Sequence, residues 1–408
     1  MDFDLRWLLF ALPLAFAIGW LASKLDTRQW KREQRDAPKA YFKGLNLLLN
    51  EQQDKAIDAF IEAVQNDPDT SELHFALGNL FRRRGEYERA VRVHQHLLQR
   101  GDLPRSERER AQYALAQDFF KAGLFDRAEE AYAALRGSAF EHEAQLALLS
   151  LYERSRDWRK AAEVARELEH KGTGSFAPRI AHYLCELALE AQARHPGGEA
   201  GGGEGKSVAE SGKESSKESG EEKARELLAE ARKVAPQAAR AHVLAGQMLA
   251  RRGQPEQAMA AYVELLAVNP EAFNLVAGDY ADAAIAAGLA ERALATLSAQ
   301  YQRRTGMALL LALAKLEPDA AVQRERLVRH LREHPSLTAA RRLLQQSQLQ
   351  VQANEEEKNL ISTALDRAAR PLQRYRCAAC GFEAQHYFWQ CPGCLNWDTY
   401  PPRHVEEL

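Results

Sequence analysis

Seven alanines recur in equivalent contexts at Ala56, Ala90, Ala128, Ala161, Ala224, Ala258 and Ala293, separated by 34, 38, 33, 63, 34 and 35 residues. Nothing else in the chain restricts its fold as strongly. Glycines precede four of them by five residues (Gly85, Gly123, Gly253, Gly288), and aromatics precede three by three residues (Tyr87, Phe125, Trp158). Prolines follow three of them by twelve residues (Pro68, Pro236, Pro270). A unit of this length holds two helices and a turn, and it buries its apolar face only by stacking on its neighbours. Small residues such as Gly44, Gly78 and Gly246 let the first helix approach the second closely, and the turn glycine ends the first helix in a left-handed cap. The proline then stops the second helix.

The spacing is the tetratricopeptide period, and it predicts an all-α fold: a repeat superhelix over residues 37–350. The 63-residue gap is one repeat plus an insertion, residues 195–221. Val208 is the only large aliphatic there, so the segment is expected to be a disordered loop. Its AGGGEGKS stretch, residues 200–207, fits a loose phosphate-loop pattern but lacks a preceding strand, and it is not read as a nucleotide site. Beyond Arg304 a helix pair spans 307–335, and helices at 337–349 and 355–370 close the array, with 351–372 as capping helix and linker. Counting along the first helices places Arg83, Lys121, Arg154 and Arg251 at one recurring position. They are candidate partner-binding residues that would line a groove and take acidic peptides. The plainer alternative is that cations favour the negative end of a helix.

Residues 1–23 read as a single transmembrane helix. Trp7 to Ala22 is an unbroken apolar run of 16 residues with Trp7 and Trp20 near its ends. Lys24, Arg28, Lys31, Arg32 and Arg35 follow it, in a basic linker over 24–36, against Arg6 before it. The positive-inside rule then puts the body of the chain in the cytoplasm. A cleaved signal peptide is disfavoured because Asp2 and Asp4 outweigh Arg6 and no small-residue cleavage site follows. A buried soluble helix is the other rival. The net charge of −2 argues against nucleic acid as a partner.

Four of the five cysteines lie near the C-terminus as Cys377, Cys380, Cys391 and Cys394, spaced C-x2-C-x10-C-x2-C within residues 373–408. Two such turns bring four thiolates to one tetrahedral metal ion, zinc or iron, and in a reducing compartment a metal is favoured over disulfides. Gly381 and Gly393 are expected to allow the bends. Tyr375, Phe382, Tyr387, Phe388, Trp389 and Trp397 are expected to form a small aromatic core around the metal. The module is too short to fold without the ion, whose binding is worth on the order of 10–16 kcal/mol. Cys185 reads as a buried packing thiol, and His94 and His96 as packing or surface residues. There is no Gly-x-Ser-x-Gly elbow and no His-Glu-x-x-His, so no enzyme is expected.

The order anchor, repeat array, four-cysteine module resembles the lipopolysaccharide assembly protein B family of Gram-negative bacteria. The resemblance runs end to end apart from the insertion and rests on LNLLLNEQQDKAIDAF (45–60), LGNLFRRRGEYERAVRVHQ (77–95), AGLFDRAEEAY (122–132), IAHYLCELAL (180–189) and YRCAACGFEAQHYFWQCPGC (375–394). The last resembles the family's rubredoxin-like domain. The resemblance implies a single-pass inner-membrane protein without catalytic activity. It would restrain lipopolysaccharide synthesis by helping a membrane-anchored AAA protease degrade the deacetylase that commits precursor to lipid A, and would coordinate with other inner-membrane assembly proteins. Two alternatives remain from other classes: an iron–thiolate electron-transfer protein, and a generic tetratricopeptide co-chaperone.

Overall fold

The computed structural model describes residues 52–66, 70–172, 174–193, 209–334, 336–346 and 355–408, with isolated positions between 16 and 50. The chain divides into two compact units, Met1–Asp157 and Trp158–Leu408. In the first unit the helices are α1 (Gln53–Asn66), α2 (Ser71–Arg83), α3 (Tyr87–Gln99), α4 (Arg105–Lys121), α5 (Phe125–Ala133) and α6 (Glu141–Ser155). The second holds α7 (Trp158–His170), α8 (Ala177–Ala193), α9 (Ala209–Val234), α10 (Ala239–Arg251), α11 (Pro255–Val268) and a 3-10 turn, Ala272–Leu275. It continues with α12 (Ala277–Ala286), α13 (Ala290–Arg303), α14 (Met307–Leu316), α15 (Ala320–Glu333), α16 (Leu337–Gln346) and α17 (Glu355–Ala369). A two-stranded antiparallel ribbon follows, β1 (Tyr375–Arg376) against β2 (Glu383–Ala384). The fold is therefore mostly helical rather than strictly all-α.

All seven recurring alanines are fully buried, each at 0% exposure. The glycines act as the spacing implied. A Cβ built on Gly44 would fall 2.7 Å from the Phe60 ring, and one on Gly78 would fall 2.5 Å from the His94 ring. One on Gly246 would collide with the Tyr262 ring. Each ring belongs to the residue four after the recurring alanine, so glycine and ring interlock across the helix pair.

The turns close by one hydrogen-bond pattern. The amides of Glu86, Leu124, Asp157, Gln254 and Leu289 donate to the carbonyls of Phe81, Phe119, Tyr152, Leu249 and Ala284, at 2.9 to 3.0 Å. The residue before each donor is left-handed: Gly85, Gly123, Gly253 and Gly288 at φ between 69° and 79°, and Arg156 at 57°. This is the six-to-one closure of a helix C-terminus, for which glycine carries no steric penalty. Arg156 makes the same turn with a side chain present.

One expectation changes, and one lies outside the described residues. The segment expected to be a disordered loop over 195–221 is helical from Ala209, where α9 begins; residues 194–208 lie outside the described residues. Beyond Val208 the composition turns from glycine to Ala, Glu, Lys and Ser, with Glu210/Lys213 and Glu214/Lys217 at helical spacing. Gly220, within the expected insertion, is a packing residue: a Cβ there would fall 2.7 Å from the Ala191 carbonyl oxygen of α8. The transmembrane reading of residues 1–23 falls outside the described residues except at Phe16 and Trp20, and among the described residues no helix is long and apolar enough to cross a membrane.

Left-handed strain at Arg156 is removable. Arg156→Gly is expected to raise stability by about 1 kcal/mol. In calorimetry the transition of the unit holding it should move up by about 2–4 °C, and an unchanged or lower midpoint would show that the turn is unstrained.

Candidate metal centre and its seat on the repeats

The four cysteines meet in one place, their sulfur atoms all within 4.8 Å of one another. Cys377 and Cys394 Sγ are 3.8 Å apart, and Cys380 and Cys391 Sγ 3.6 Å. A tetrahedron of zinc–sulfur bonds of about 2.3 Å has edges of about 3.8 Å, so the donor set fits a four-thiolate ion. Iron takes the same set. Two knuckles build the cage. Gly381 N donates to Cys377 O and Leu395 N to Cys391 O, both after the second cysteine of a pair. The left-handed residues are Gly381 (φ 76°) and Leu395 (φ 60°). Gly393, expected to provide the second bend, instead makes room for Phe382, whose Cβ lies 3.3 Å from where a Gly393 Cβ would sit.

Burial opposes ionisation of Cys377, but the Thr399 hydroxyl and the amides of Cys380 and Ala379 outweigh it and bring the thiol down to about 6. Cys391 is lowered in the same way: burial is outweighed by the amides of Cys394 and Gly393 and by the Tyr400 hydroxyl. Thr399 Oγ1 lies 3.2 Å from Cys377 Sγ, placed to donate to a thiolate. Cys377 and Cys391 are buried, Cys394 is half-buried and Cys380 is exposed. A divalent ion held by these four residues would supply the charge that keeps the thiolates together.

The expected aromatic core is only partly there. Tyr375, Tyr387 and Tyr400 pack on Cys377, Cys391 and Cys394, whereas Phe382 and Phe388 are exposed. Trp397 points away from the cage. Its ring stacks on His182 of α8 at 4.5 Å and meets the edges of Trp158 and Tyr183 at 6.1 Å. The Arg240 guanidinium lies 5.8 Å above it and bonds Glu186 at 2.7 Å. Asp398 Oδ2 lies 2.6 Å from Nε2 of His182, a residue 1% exposed. The second knuckle thus delivers a tryptophan and a carboxylate onto α7, α8 and α10.

The last residues make a second seat. Glu407 Oε1 accepts the Met307 amide at 2.7 Å, and Glu406 accepts the Thr338 amide at 3.2 Å and its hydroxyl at 2.6 Å. Adjacent carboxylates therefore satisfy free amides at the starts of α14 and α16, where negative charge is favoured. Neither seat has a sequence signature, since His182 and Asp398 are 216 positions apart.

The other candidates are accounted for one by one. Arg83, Lys121 and Arg251 are the last residues of α2, α4 and α10, and Arg154 the last but one of α6; all four are exposed. Arg154 lies 5.1 Å from the Phe120 ring centre, and Arg251 donates to Gln247 O and Gln192 Oε1. Cys185 is fully buried, and burial pushes its thiol up to about 12, as suits a packing residue. His94 is fully buried and paired with Asp118, while His96 is exposed and stacks on His74.

Trp397→Ala is expected to destabilise the second unit by about 2–4 kcal/mol. Stripping the metal with a chelator should weaken the unit in the same sense, because Trp397 and Asp398 are held by the knuckle. Denaturant unfolding of metal-loaded, stripped and Trp397→Ala chains checks this. Equal stability of loaded and stripped protein would show that the repeats do not depend on the module.

Residues 375–402 match the family described as rubredoxin metal binding domain. Residues 73–109, and 113–176 with 222–273, match two tetratricopeptide repeat families. Lipopolysaccharide assembly protein B of Escherichia coli strain K12 is 28% identical over 409 residues, covering 98% of each chain. The Haemophilus influenzae protein of that name is 28% identical over 414 residues, covering 97% of this chain and 98% of its own. A solved tetratricopeptide repeat protein from Parabacteroides merdae aligns at 14% identity and a TM-score of 0.32, over 69% of this chain and 98% of that one. In repeats, metal-binding domain and near-complete length, the chain resembles lipopolysaccharide assembly protein B.

Proposed function

We propose that the chain is a non-enzymatic adaptor in lipopolysaccharide assembly, held at the inner membrane by residues 1–23 with its body in the cytoplasm. The observation that carries this is the near-full-length match to relatives named lipopolysaccharide assembly protein B, joined to a repeat fold that offers protein-binding surface. In this reading the adaptor presents the committed-step deacetylase of lipid A synthesis to a membrane-anchored AAA protease and contacts other inner-membrane assembly proteins. The exposed cations Arg83, Lys121, Arg154 and Arg251 are candidate contacts, and the metal centre, zinc or iron, is structural. Tethering is the mechanism: the protease is membrane-anchored and the deacetylase cytoplasmic, so an anchored adaptor raises the effective concentration of one beside the other.

One observation favours a second reading. Cys380 is exposed at the edge of the cage, as an electron-transfer iron site requires. Metal analysis with visible absorption separates the two: a red iron–thiolate spectrum with reversible reduction supports redox chemistry, and stoichiometric zinc excludes it.

Deleting residues 1–23 is expected to leave a folded body that no longer restrains deacetylase levels. Quantitative immunoblotting of deacetylase turnover in cells checks this, and wild-type turnover in the deletion strain would remove tethering from the mechanism.

A further inference from the structure

In the first unit a buried polar cluster joins two repeats. Arg82 of α2 donates to Asp118 Oδ1 at 2.8 Å, to the Ala114 carbonyl at 3.0 Å and to Asn79 Oδ1 at 2.6 Å. His94 Nδ1 lies 2.5 Å from Asp118 Oδ2, and His94 and Asp118 are both 0% exposed. The recurring alanines carry these positions into the second unit. Matching Ala90 to Ala258 converts Asn79, Arg82 and His94 into Gln247, Ala250 and Tyr262. Matching Ala128 to Ala293 converts Ala114 and Asp118 into Asp279 and Ala283.

All five of these residues line one open cavity of about 660 Å³. Where the first unit holds a guanidinium, the second has only the methyl of Ala250. The carboxylate is retained but moved one turn along its helix, from the position of Asp118 to that of Asp279. Gln247 Nε2 donates to Asp279 Oδ2 at 3.1 Å, which aligns the carboxylate and leaves the amide oxygen of Gln247 as an acceptor. No cation pairs with Asp279 among the described residues. Tyr262 is 0% exposed and its hydroxyl, buried in this wall, has no partner. Two further charges stand at the rim: Asp282, paired with Lys315 at 2.7 Å, and Arg251, an exposed cation that donates to the neutral oxygens Gln247 O and Gln192 Oε1.

We propose that this cavity is the receptor for an arginine side chain presented by a partner protein. A guanidinium entering it meets the Asp279 carboxylate and the Gln247 amide oxygen, beside the wall that holds the buried Tyr262 hydroxyl. A carboxylate and a side-chain amide oxygen are two of the three acceptors that Arg82 meets in the first unit, the third being the Ala114 carbonyl. A flat five-donor fork suits several acceptors set around one space better than an ammonium does. An acidic residue entering the same space would face Asp279. The alanines at 250, 283 and 286 leave room for the aliphatic stem. The proposal rests on the adaptor reading only for the kind of partner.

The test is ligand-observed NMR titration of the full chain with N-acetyl-arginine amide, against the uncharged isostere N-acetyl-citrulline amide. Saturable arginine binding is expected, with citrulline at least about tenfold weaker. Asp279→Asn should weaken arginine binding about tenfold or more. Ala250→Arg with Ala283→Asp rebuilds the first unit's pair within the chain and should abolish binding. Equal binding of the two compounds, or unchanged binding in Asp279→Asn, would overturn the proposal. If arginine fails to bind while deletion of residues 1–23 still releases the deacetylase, the receptor falls and the adaptor reading stands. If arginine binds as expected while that deletion leaves turnover unaltered, the receptor stands and the adaptor reading falls.

Discussion

A ring pressed onto bare backbone is the contact on which the rest of this structure depends. Phe60 lies on Gly44, His94 on Gly78 and Tyr262 on Gly246, in each case closer than a Cβ would permit. A fully buried alanine four residues before each ring lets the two helices cross at that distance. Overpacking such a site by even one methyl group costs roughly 1–3 kcal/mol, so the small residues are held to their positions by sterics. The same geometry sets what each repeat can offer its neighbour. The residue four after the alanine is Phe60, His94, Tyr132, Ala165, Leu228, Tyr262 or Leu297. Where that residue is apolar the neighbouring repeat is met by packing alone, and where it carries a polar atom a hydrogen bond can form across the repeats, as His94 Nδ1 forms with Asp118.

This explains which parts of the fold were legible in the sequence. Alanine, turn glycine and packing glycine act within one helix pair, so they leave a period that can be counted. Gly85, Gly123, Gly253 and Gly288 are all left-handed as their spacing implied, yet Arg156 makes the same turn and Leu395 the equivalent bend of the second knuckle. Composition hides these two, because the backbone there is enforced by the surrounding contacts at the expense of local preference. The start of α9 was missed for a related reason: Ser, Lys and Glu read alike in a solvated loop and a solvated helix. Gly220 marks the difference, but only once Ala191 is seen opposite it.

The metal centre divides in the same way. Its ligands were plain from spacing, since two cysteines on one tight turn is a local requirement. Its seat was not. Trp397 was expected inside the module because a tryptophan beside a metal knuckle is ordinarily core, and sequence gives a residue's type without its direction. In the structure Leu395 turns the chain so that Trp397 and Asp398 face His182, while Glu406 and Glu407 reach the starts of α14 and α16. The module is thus continuous with the repeats mechanically. Thiolates that order the knuckle also order a tryptophan and a carboxylate lodged among α7, α8 and α10, so metal occupancy and repeat stability are linked quantities.

Electrostatics then separates two kinds of candidate contact. Arg83, Lys121, Arg154 and Arg251 stand at helix C-termini, where the dipole alone favours a cation, so their recurrence needs no ligand to account for it. Asp279 shares that default, since it stands in the first turn of α12 where the dipole favours a carboxylate, but the buried Tyr262 hydroxyl has none. A fully buried hydroxyl without a partner is unfavourable in the free protein, and Phe at that position would remove it. In the first unit Arg82, Asp118 and His94 Nδ1 pair internally, although His94 Nε2 is itself buried without a partner. A repeat that could be closed from within, yet is left open and rich in acceptors, carries more information about a partner than a row of cations already stabilised by their own helices.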